Sequence, residues 1–214
     1  MSNFECQRCG ECCKRYYIIS LPHEVLRQAK HKGLTREEFI QKHMQLFLQF
    51  FPAEHSKEKI MVSSSLVPKE IATKLEGHLG KMPDFLIALP MLVFRRRENG
   101  SCTFYDEKNR ACTIYQERPL ECRLFPFISD KKAQDYAGLY PFCAGLQKAG
   151  AEVSFVDKSK AHFDEVSEYF REVQKNGFSK IWGSWPKEGV CLFTDKLVGH
   201  ISESEFFGTI GPYK

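Results

Sequence analysis

The sequence predicts an α+β fold: a small cysteine-centred domain with a short antiparallel meander and several surrounding helices. Three observations support this prediction. Residues 21–90 and 157–176 have mostly the apolar spacing of helices. Residues 91–143 instead contain short runs of strand-forming residues separated by turn signals. Nine cysteines are present, and eight of them fall into two groups that a metal centre could join.

The ends of the predicted helices are marked by residues that typically begin or end a helix. Four longer helices are predicted, over residues 22–30, 35–50, 67–78 and 157–176. Pro22 suits the first turn of a helix, where a missing N–H costs nothing. Thr35 and Glu38 form a capping box, in which each side chain accepts a hydrogen bond from the other residue's backbone N–H. Pro52 is expected to end that second helix, and residues 52–66 to form a loop.

The strands are expected around turns in the middle of the chain. Asn99-Gly100 is a strong signal for a tight hairpin turn after Met91–Phe94. The runs Cys102–Tyr105 and Cys112–Tyr115 are near copies of one another, ten residues apart, which suggests two adjacent strands with matched roles. Pro119 is then expected to open a short helix. We therefore predict one domain over residues 1–145, with a helical insert at about 21–90, and a C-terminal helix and tail over 146–214 packed on it.

Composition excludes several classes of protein. The hydrophobic fraction of 43% and the charged fraction of 27% exclude a wholly disordered or collagen-like chain. No apolar run reaches the ~18 residues that a membrane span needs, and no secretory signal follows Met1. We therefore expect a cytoplasmic protein without a membrane partner. The net charge of +4 is too mild to favour nucleic acid, and the sequence leaves a protein partner or substrate unidentified.

The first cysteine group is the sharpest signal in the sequence. Cys6, Cys9, Cys12 and Cys13 fall within eight residues, in a chain expected to lie in a reducing compartment. Clustered thiols there hold metal more often than they form disulfides. A Cys-x-x-Cys loop turns both sulfurs toward one centre, and Gly10 relieves backbone crowding as the loop tightens.

The second group supplies the remaining thiols. Its members are Cys102, Cys112, Cys122 and Cys143. Eight thiolates suffice for two tetrahedral four-thiolate zinc sites, or for one cubane iron–sulfur cluster with four thiols to spare. Side chains of adjacent residues diverge, so Cys12 and Cys13 either serve two centres or leave one thiol spare. Arg118 and Arg123 flank Cys122, where a guanidinium favours the thiolate. Cys191 is expected to be a buried thiol rather than a ligand.

These motifs resemble a known family. The loop from Phe4 to Cys13, the run Cys112-Thr-Ile-Tyr-Gln-Glu-Arg-Pro-Leu-Glu-Cys122-Arg-Leu-Phe-Pro and the ending Cys143-Ala-Gly resemble the YkgJ-like cysteine-cluster (CxxCxxCC) family of zinc- or iron-chelating proteins, over about residues 4–145. The resemblance implies metal chelation by the eight cysteines, and flagellin lysine methylases carry a similar cluster. Ala144 departs from the family pattern, in which proline is expected after the last cysteine.

Three functions are compatible with these observations, and no catalytic residue is identified. The first is an iron–sulfur protein in electron transfer, or in a redox or methyl-transfer enzyme. The second is a structural zinc protein that serves as an interaction module, and the third is a metal-handling protein. The Cys-x-x-Cys-x-x-Cys spacing of ferredoxin-type runs favours iron over zinc by a small margin.

The sequence alone generates one prediction about the first cysteine group. Cys9→Ser and Cys12→Ser are each expected to lower the metal content of the purified protein, because serine replaces a soft sulfur ligand with a hard oxygen. Elemental analysis of the wild type and both variants tests this. An unchanged metal-to-protein ratio in both would show that the N-terminal loop is not a ligand segment.

Overall fold

The computed structural model describes residues 4–52, 61–64, 67–127, 133–149, 158–194 and 197–210. Within these ranges the chain forms ten α-helices and seven β-strands, which confirms the predicted α+β class. The helices are α1 (Glu11–Arg15), α2 (Pro22–His31), α3 (Arg36–His43), α4 (Lys69–Leu79), α5 (Leu120–Leu124), α6 (Ala133–Leu139), α7 (Ala144–Ala149), α8 (Lys158–Asn176), α9 (Phe178–Trp182) and α10 (Glu203–Thr209). The strands are β1 (Met44–Pro52), β2 (Met61–Ser63), β3 (Phe85–Phe94), β4 (Tyr105–Asp106), β5 (Ala111–Cys112), β6 (Val190–Phe193) and β7 (Leu197–Ile201).

Contacts divide the chain into two compact units, each discontinuous in sequence. The cysteine unit consists of Met1–Arg36 and Phe94–Glu168, and the sheet unit of Glu37–Val93 and Tyr169–Lys214. The predicted boundary at residue 145 stays a prediction, because a compact unit of contacts and an independently folding domain are different things. Among the described residues, no helix has both the length and the apolar character that a membrane crossing requires.

The cysteine unit contains very short strands. β4 and β5 pair antiparallel through two residues each, with Tyr105 opposite Cys112. The longer strands predicted from Cys102 and through Tyr115 are therefore wrong: Cys102 makes an isolated bridge with Arg96, and a 3-10 turn over Tyr115–Glu117 follows β5. The tight turn predicted at Asn99-Gly100 is present, with Gly100 at φ +78°. Two-residue strands bury little surface, so this part of the chain depends on other contacts.

Buried polar side chains on α2 supply some of those contacts. Glu24 is 1% exposed, and its carboxylate accepts hydrogen bonds from the backbone N–H of Leu21 (2.9 Å) and of Leu120 (2.6 Å). The buried Gln28 donates from Nε2 to the carbonyl of Glu117 at 3.0 Å. A buried carboxylate is tolerated only when it is hydrogen-bonded in this way. These bonds fasten α2 to the segment that leads into α5.

The sheet unit is built on a five-stranded mixed sheet in the order β2-β3-β1-β6-β7. β1 and β6 pair in parallel, with Phe47 opposite Cys191, whereas β7 pairs antiparallel with β6 and β2 with β3. Leu46, Phe47 and Leu48 are each at most 1% exposed, although their side chains alternate between the two faces of β1. Both faces of this central strand are therefore buried.

The second predicted helix is wrong in its C-terminal half, where the structure has β1. α3 ends at His43 and β1 begins at Met44, whereas the sequence predicts a helix through Phe50. The apolar run of β1 has no alternation, because a strand buried on both faces needs none, and such a run resembles a buried helix. The insert predicted as helical at about 21–90 consequently contains β1, β2 and most of β3. Of the loop predicted over 52–66, residues 53–60 and 65–66 lie outside the described residues, and Met61–Ser63 is a strand.

The remaining predicted helices are confirmed. α2, α4 and α8 agree with the predicted bounds within two residues, and Pro119 is the N-cap of α5 as expected. Gly177 follows α8 at φ +86°, where the predicted helix ends. Capping residues and prolines act locally, so sequence locates them well.

A buried hydrogen-bond chain stabilises the sheet unit and generates a prediction. Tyr169 donates from its hydroxyl to the carbonyl of Pro90 (2.8 Å) and accepts from Nε1 of Trp182 (2.9 Å). Tyr169→Phe removes both hydrogen bonds inside the core and is expected to lower the free energy of unfolding by about 1–3 kcal/mol. Chemical denaturation measures it. Tyr115→Phe is the control, since no hydrogen bond of the Tyr115 hydroxyl occurs within the described residues. Equal stability of Tyr169→Phe and wild type would contradict this account.

Candidate metal centre

All eight predicted ligands line one cavity of the cysteine unit. They are Cys6, Cys9, Cys12, Cys13, Cys102, Cys112, Cys122 and Cys143. The cavity has a volume of about 80 Å³, and much of the rest of its wall is aromatic, including Phe94, Phe104, Phe125 and Phe142. Cys191 lies instead on β6 in the sheet unit and is buried there. The structure therefore brings together the two cysteine groups that the sequence separates.

The N-terminal loop reaches this cavity through a glycine. Gly10 has φ +79°, in the left-handed region, and is the N-cap of α1, whose first turn carries Cys12 and Cys13. A Cβ atom at position 10 would overlap with the Tyr105 ring. The Tyr105 hydroxyl donates to the carbonyl of Cys9 at 3.3 Å. Glycine is needed here for both its backbone conformation and its small size.

A backbone hydrogen bond joins the two cysteine groups directly. The N–H of Cys102 donates to the carbonyl of Cys13 at 2.8 Å. At the other end of the second group, Cys143 immediately precedes α7, and a Cβ atom at Gly145 would lie 2.6 Å from the carbonyl oxygen of Glu5. Residues near each end of the second group thus contact the N-terminal loop closely.

The two copies of the Cys-Thr-x-Tyr run have matched roles, as the sequence suggests. The cysteine, the apolar third residue and the tyrosine of each copy line the cavity, at 102, 104 and 105 and at 112, 114 and 115. Each tyrosine also contacts the N-terminal loop: Tyr105 bonds Cys9, and the Tyr115 ring lies 4.4 Å from Cζ of Arg8. Neither tyrosine is among the predicted site residues, although the repeated position of the two was the available signal.

The thiols differ in their exposure to solvent. Cys6 is exposed, Cys102 and Cys143 are buried, and the five others are half-buried. All nine cysteines of the chain lie in its described part, and none of them forms a disulfide. Among these thiols, exposure to solvent is therefore greatest at Cys6, in the N-terminal loop.

The local environment raises the pKa of five of these thiols and so favours their protonated form. Burial raises the pKa of Cys102 to about 11, and it also raises the pKa of Cys112, Cys122 and Cys143. For Cys12, a hydrogen bond with the Cys13 side chain is the largest cause of a raised pKa, followed by burial. Metal binding requires thiolates, so loading this cavity must release protons.

Positive charges near the cavity oppose this effect. Arg97 lowers the pKa of Cys102, and Arg118 and Lys32 lower that of Cys112, without cancelling the effect of burial.

The carboxyl group next to Cys122 is also perturbed: burial raises the pKa of Glu121 to about 8, although the N–H of Ile19 donates to its Oε2 at 2.7 Å.

The adjacent cysteines Cys12 and Cys13 both line the cavity. Lining the same cavity is compatible with one shared centre and with two neighbouring centres. The assignment of the two thiols to one centre or to two stays a prediction.

The donor set fits a soft metal, but it is not assembled into a ligand set. Within the ranges that the structure describes, no three Cys, His, Asp or Glu side chains are arranged to hold one ion. Eight sulfur donors around one cavity nevertheless suit zinc or an iron–sulfur cluster and no hard cation.

Comparison with protein families agrees with this donor set. The family model CxxCxxCC, described as "Putative zinc- or iron-chelating domain", matches residues 5–144. The chain belongs to the CxxCxxCC family. The matched range contains all eight cysteines of the cavity and excludes Cys191, so membership indicates chelation of zinc or iron by this part of the chain. No curated protein and no solved structure matches the chain.

The close approach at Gly10 generates a prediction with a matched control. Gly33 has φ +65° and open space around it, whereas Gly10 combines φ +79° with the Tyr105 ring. Both alanine variants incur the cost of a left-handed conformation, and only Gly10→Ala must also displace the ring. We expect Gly10→Ala to lower the free energy of unfolding by at least about 1 kcal/mol more than Gly33→Ala. Denaturant unfolding followed by circular dichroism measures the difference. Equal losses would show that the ring is not a constraint.

Proposed function

We propose that the protein is an iron–sulfur protein whose cluster is bound by cysteines of the cavity, acting in electron transfer or as part of a redox or methyl-transfer enzyme. The single observation that supports this best is that all eight cysteines line one cavity with aromatic walls. When bound, a cluster supplies one-electron chemistry. The protein's own residues supply the thiolates and exclude water around them, and that exclusion tunes the reduction potential.

The cost of forming thiolates in this cavity favours one four-thiolate centre over two. Two closed four-thiolate zinc sites would ionise all eight cysteines and leave about four net negative charges in one largely apolar cavity. A single four-iron cluster needs four thiolates, and the other four cysteines keep their protons. The raised pKa values of Cys12, Cys102, Cys112, Cys122 and Cys143 make the smaller number of thiolates the less costly one.

A structural zinc protein is the second candidate, and the shortness of the strands favours it. β4 and β5 have two residues each, and five-residue helices carry Cys12, Cys13 and Cys122. Elements of this size are not stable alone. Structural zinc contributes folding free energy directly, which such a unit could use. On this hypothesis the protein would act as an interaction module or in metal handling.

Metal analysis of three cysteine variants tests both candidates and the role of the doublet. The protein is purified without oxygen, and iron, zinc and acid-labile sulfide are measured beside the visible spectrum. We expect iron and sulfide in the wild type, and their loss in Cys12→Ser, because sulfur ligands hold the cluster. Cys191→Ser is the matched control: it removes a buried thiol of the sheet unit and is expected to keep the full complement.

The same measurement separates the alternatives. Zinc without acid-labile sulfide in the wild type would contradict the cluster and support the structural zinc hypothesis. A wild type that contains neither iron nor zinc would contradict both hypotheses. Cys13→Ser decides the doublet: if two centres share the loop, it and Cys12→Ser each lose part of the metal. Full metal content in Cys13→Ser would show that Cys13 is a spare thiol of a single centre.

A further inference from the structure

Two arginines contact one tyrosine ring at the edge of the cysteine cavity. Cζ of Arg8 lies 4.4 Å from the centroid of the Tyr115 ring, and Cζ of Arg118 lies 3.7 Å from it. Nε of Arg118 also donates to the Tyr115 carbonyl at 3.0 Å. All three residues line the cavity; Arg8 is exposed and Arg118 half-buried. The guanidinium groups thus stand where the cavity meets solvent.

Neither guanidinium has a carboxylate partner among the described residues. Arg8 contacts the Tyr115 ring and forms no hydrogen bond or ion pair in this part of the chain. Two nearby acidic side chains are engaged elsewhere: Glu117 pairs with Arg27, and Glu11 with Arg15 at 3.1 Å. The guanidinium of Arg8 and the terminal nitrogens of Arg118 therefore keep donors that could serve a ligand.

Cζ of each arginine lies within 4.4 Å of the same ring centroid, so the two like charges repel each other, and an anion bound by both would offset that repulsion. A guanidinium presents N–H donors in a planar fork that matches the two oxygens of a carboxylate or phosphate. The backbone of Arg8 has φ +52°, a conformation that side-chain-bearing residues rarely adopt; Arg110 is the other non-glycine residue with positive φ in the described ranges. The loop between Cys6 and Cys9 thus holds Arg8 in an unfavourable conformation beside the tyrosine.

We propose that Arg8 and Arg118 bind the carboxylate or phosphate group of a small anionic substrate at the edge of the cysteine cavity. A small molecule fits better than a macromolecule, because the arginines line a cavity of about 80 Å³ rather than a broad basic surface. Tyr115 serves as the platform that keeps the two guanidinium groups together. This inference deepens the proposed function, on which it rests for the metal centre that the substrate would reach.

A purely electrostatic role toward the thiolates is the competing explanation. Arg118 does lower the pKa of Cys112, so the arginines could serve the metal centre alone. In that case their removal would alter metal binding and leave the affinity for added anions unchanged. The electrostatic explanation therefore predicts a change in metal content, whereas the anion site predicts a change in the affinity for added anions.

Titration calorimetry of the metal-loaded full chain tests the proposal. Inorganic phosphate and succinate are the probes, used separately at constant ionic strength, and metal content is measured on each sample. We expect Arg8→Gln and Arg118→Gln each to weaken binding of the recognised probe about tenfold or more. Arg110→Gln is the matched control: it also removes one positive charge at a residue with positive φ, lies outside the cavity lining, and is expected to leave the affinity unchanged.

The outcomes distinguish the ligand and the two proposals. Binding of phosphate alone assigns a phosphate-bearing substrate, binding of succinate alone a carboxylate, and either result supports the site. If neither probe binds the wild type more tightly than the double Gln variant, or if Arg110→Gln weakens binding equally, the site does not exist. Arg8→Lys and Arg118→Lys keep the charge and lose the fork, so they test the same contacts if the Gln variants unfold. Absence of iron and zinc from the wild type would overturn the proposed function without overturning the anion site.

Discussion

The hydrogen bond from the N–H of Cys102 to the carbonyl of Cys13 is the contact on which the cysteine unit depends. It joins two segments that are far apart in sequence and that contain little regular structure of their own. The loop from Cys6 to Cys13 ends in a helix of five residues, and the strands β4 and β5 have two residues each. Such elements cannot bury enough surface to hold a geometry independently, so contacts between the segments determine where the thiols lie.

Those contacts are arranged around the N-terminal loop. Tyr105 packs against Gly10 and donates to the Cys9 carbonyl, and Tyr115 contacts Arg8. Buried carboxyl groups hold the segment that carries Cys122: Glu24 accepts from the N–H of Leu120, while Glu121 accepts from that of Ile19. The thiols are thus placed by ordinary packing and hydrogen bonds, and burial raises the pKa of several of them. A metal centre would add its own bonds to a cavity that already exists.

Charge is the second physical constraint on this cavity. Thiolates in apolar surroundings are costly, and each additional one raises the pKa of the others. The arginines near the cavity offset part of this cost, but Arg8 and Arg118 keep donors that no described carboxylate uses. A cavity with few thiolates and available guanidinium groups can accept an anionic ligand as well as a metal. This electrostatic balance connects the proposed centre with the proposed substrate site.

Sequence alone determined the α+β class, the helices whose caps are local, and the eight cysteines that now line one cavity. Residue type and spacing suffice for these because a capping proline or a thiol has the same chemistry wherever it lies. Only the tertiary structure decided that Met44–Pro52 is a strand, since its neighbour β6 lies in a distant part of the chain and burial on both faces removes any alternation. It also decided that the two cysteine groups line the same cavity, and that Arg8 of the N-terminal loop contacts Tyr115. These are contacts between remote segments, and no local pattern encodes them.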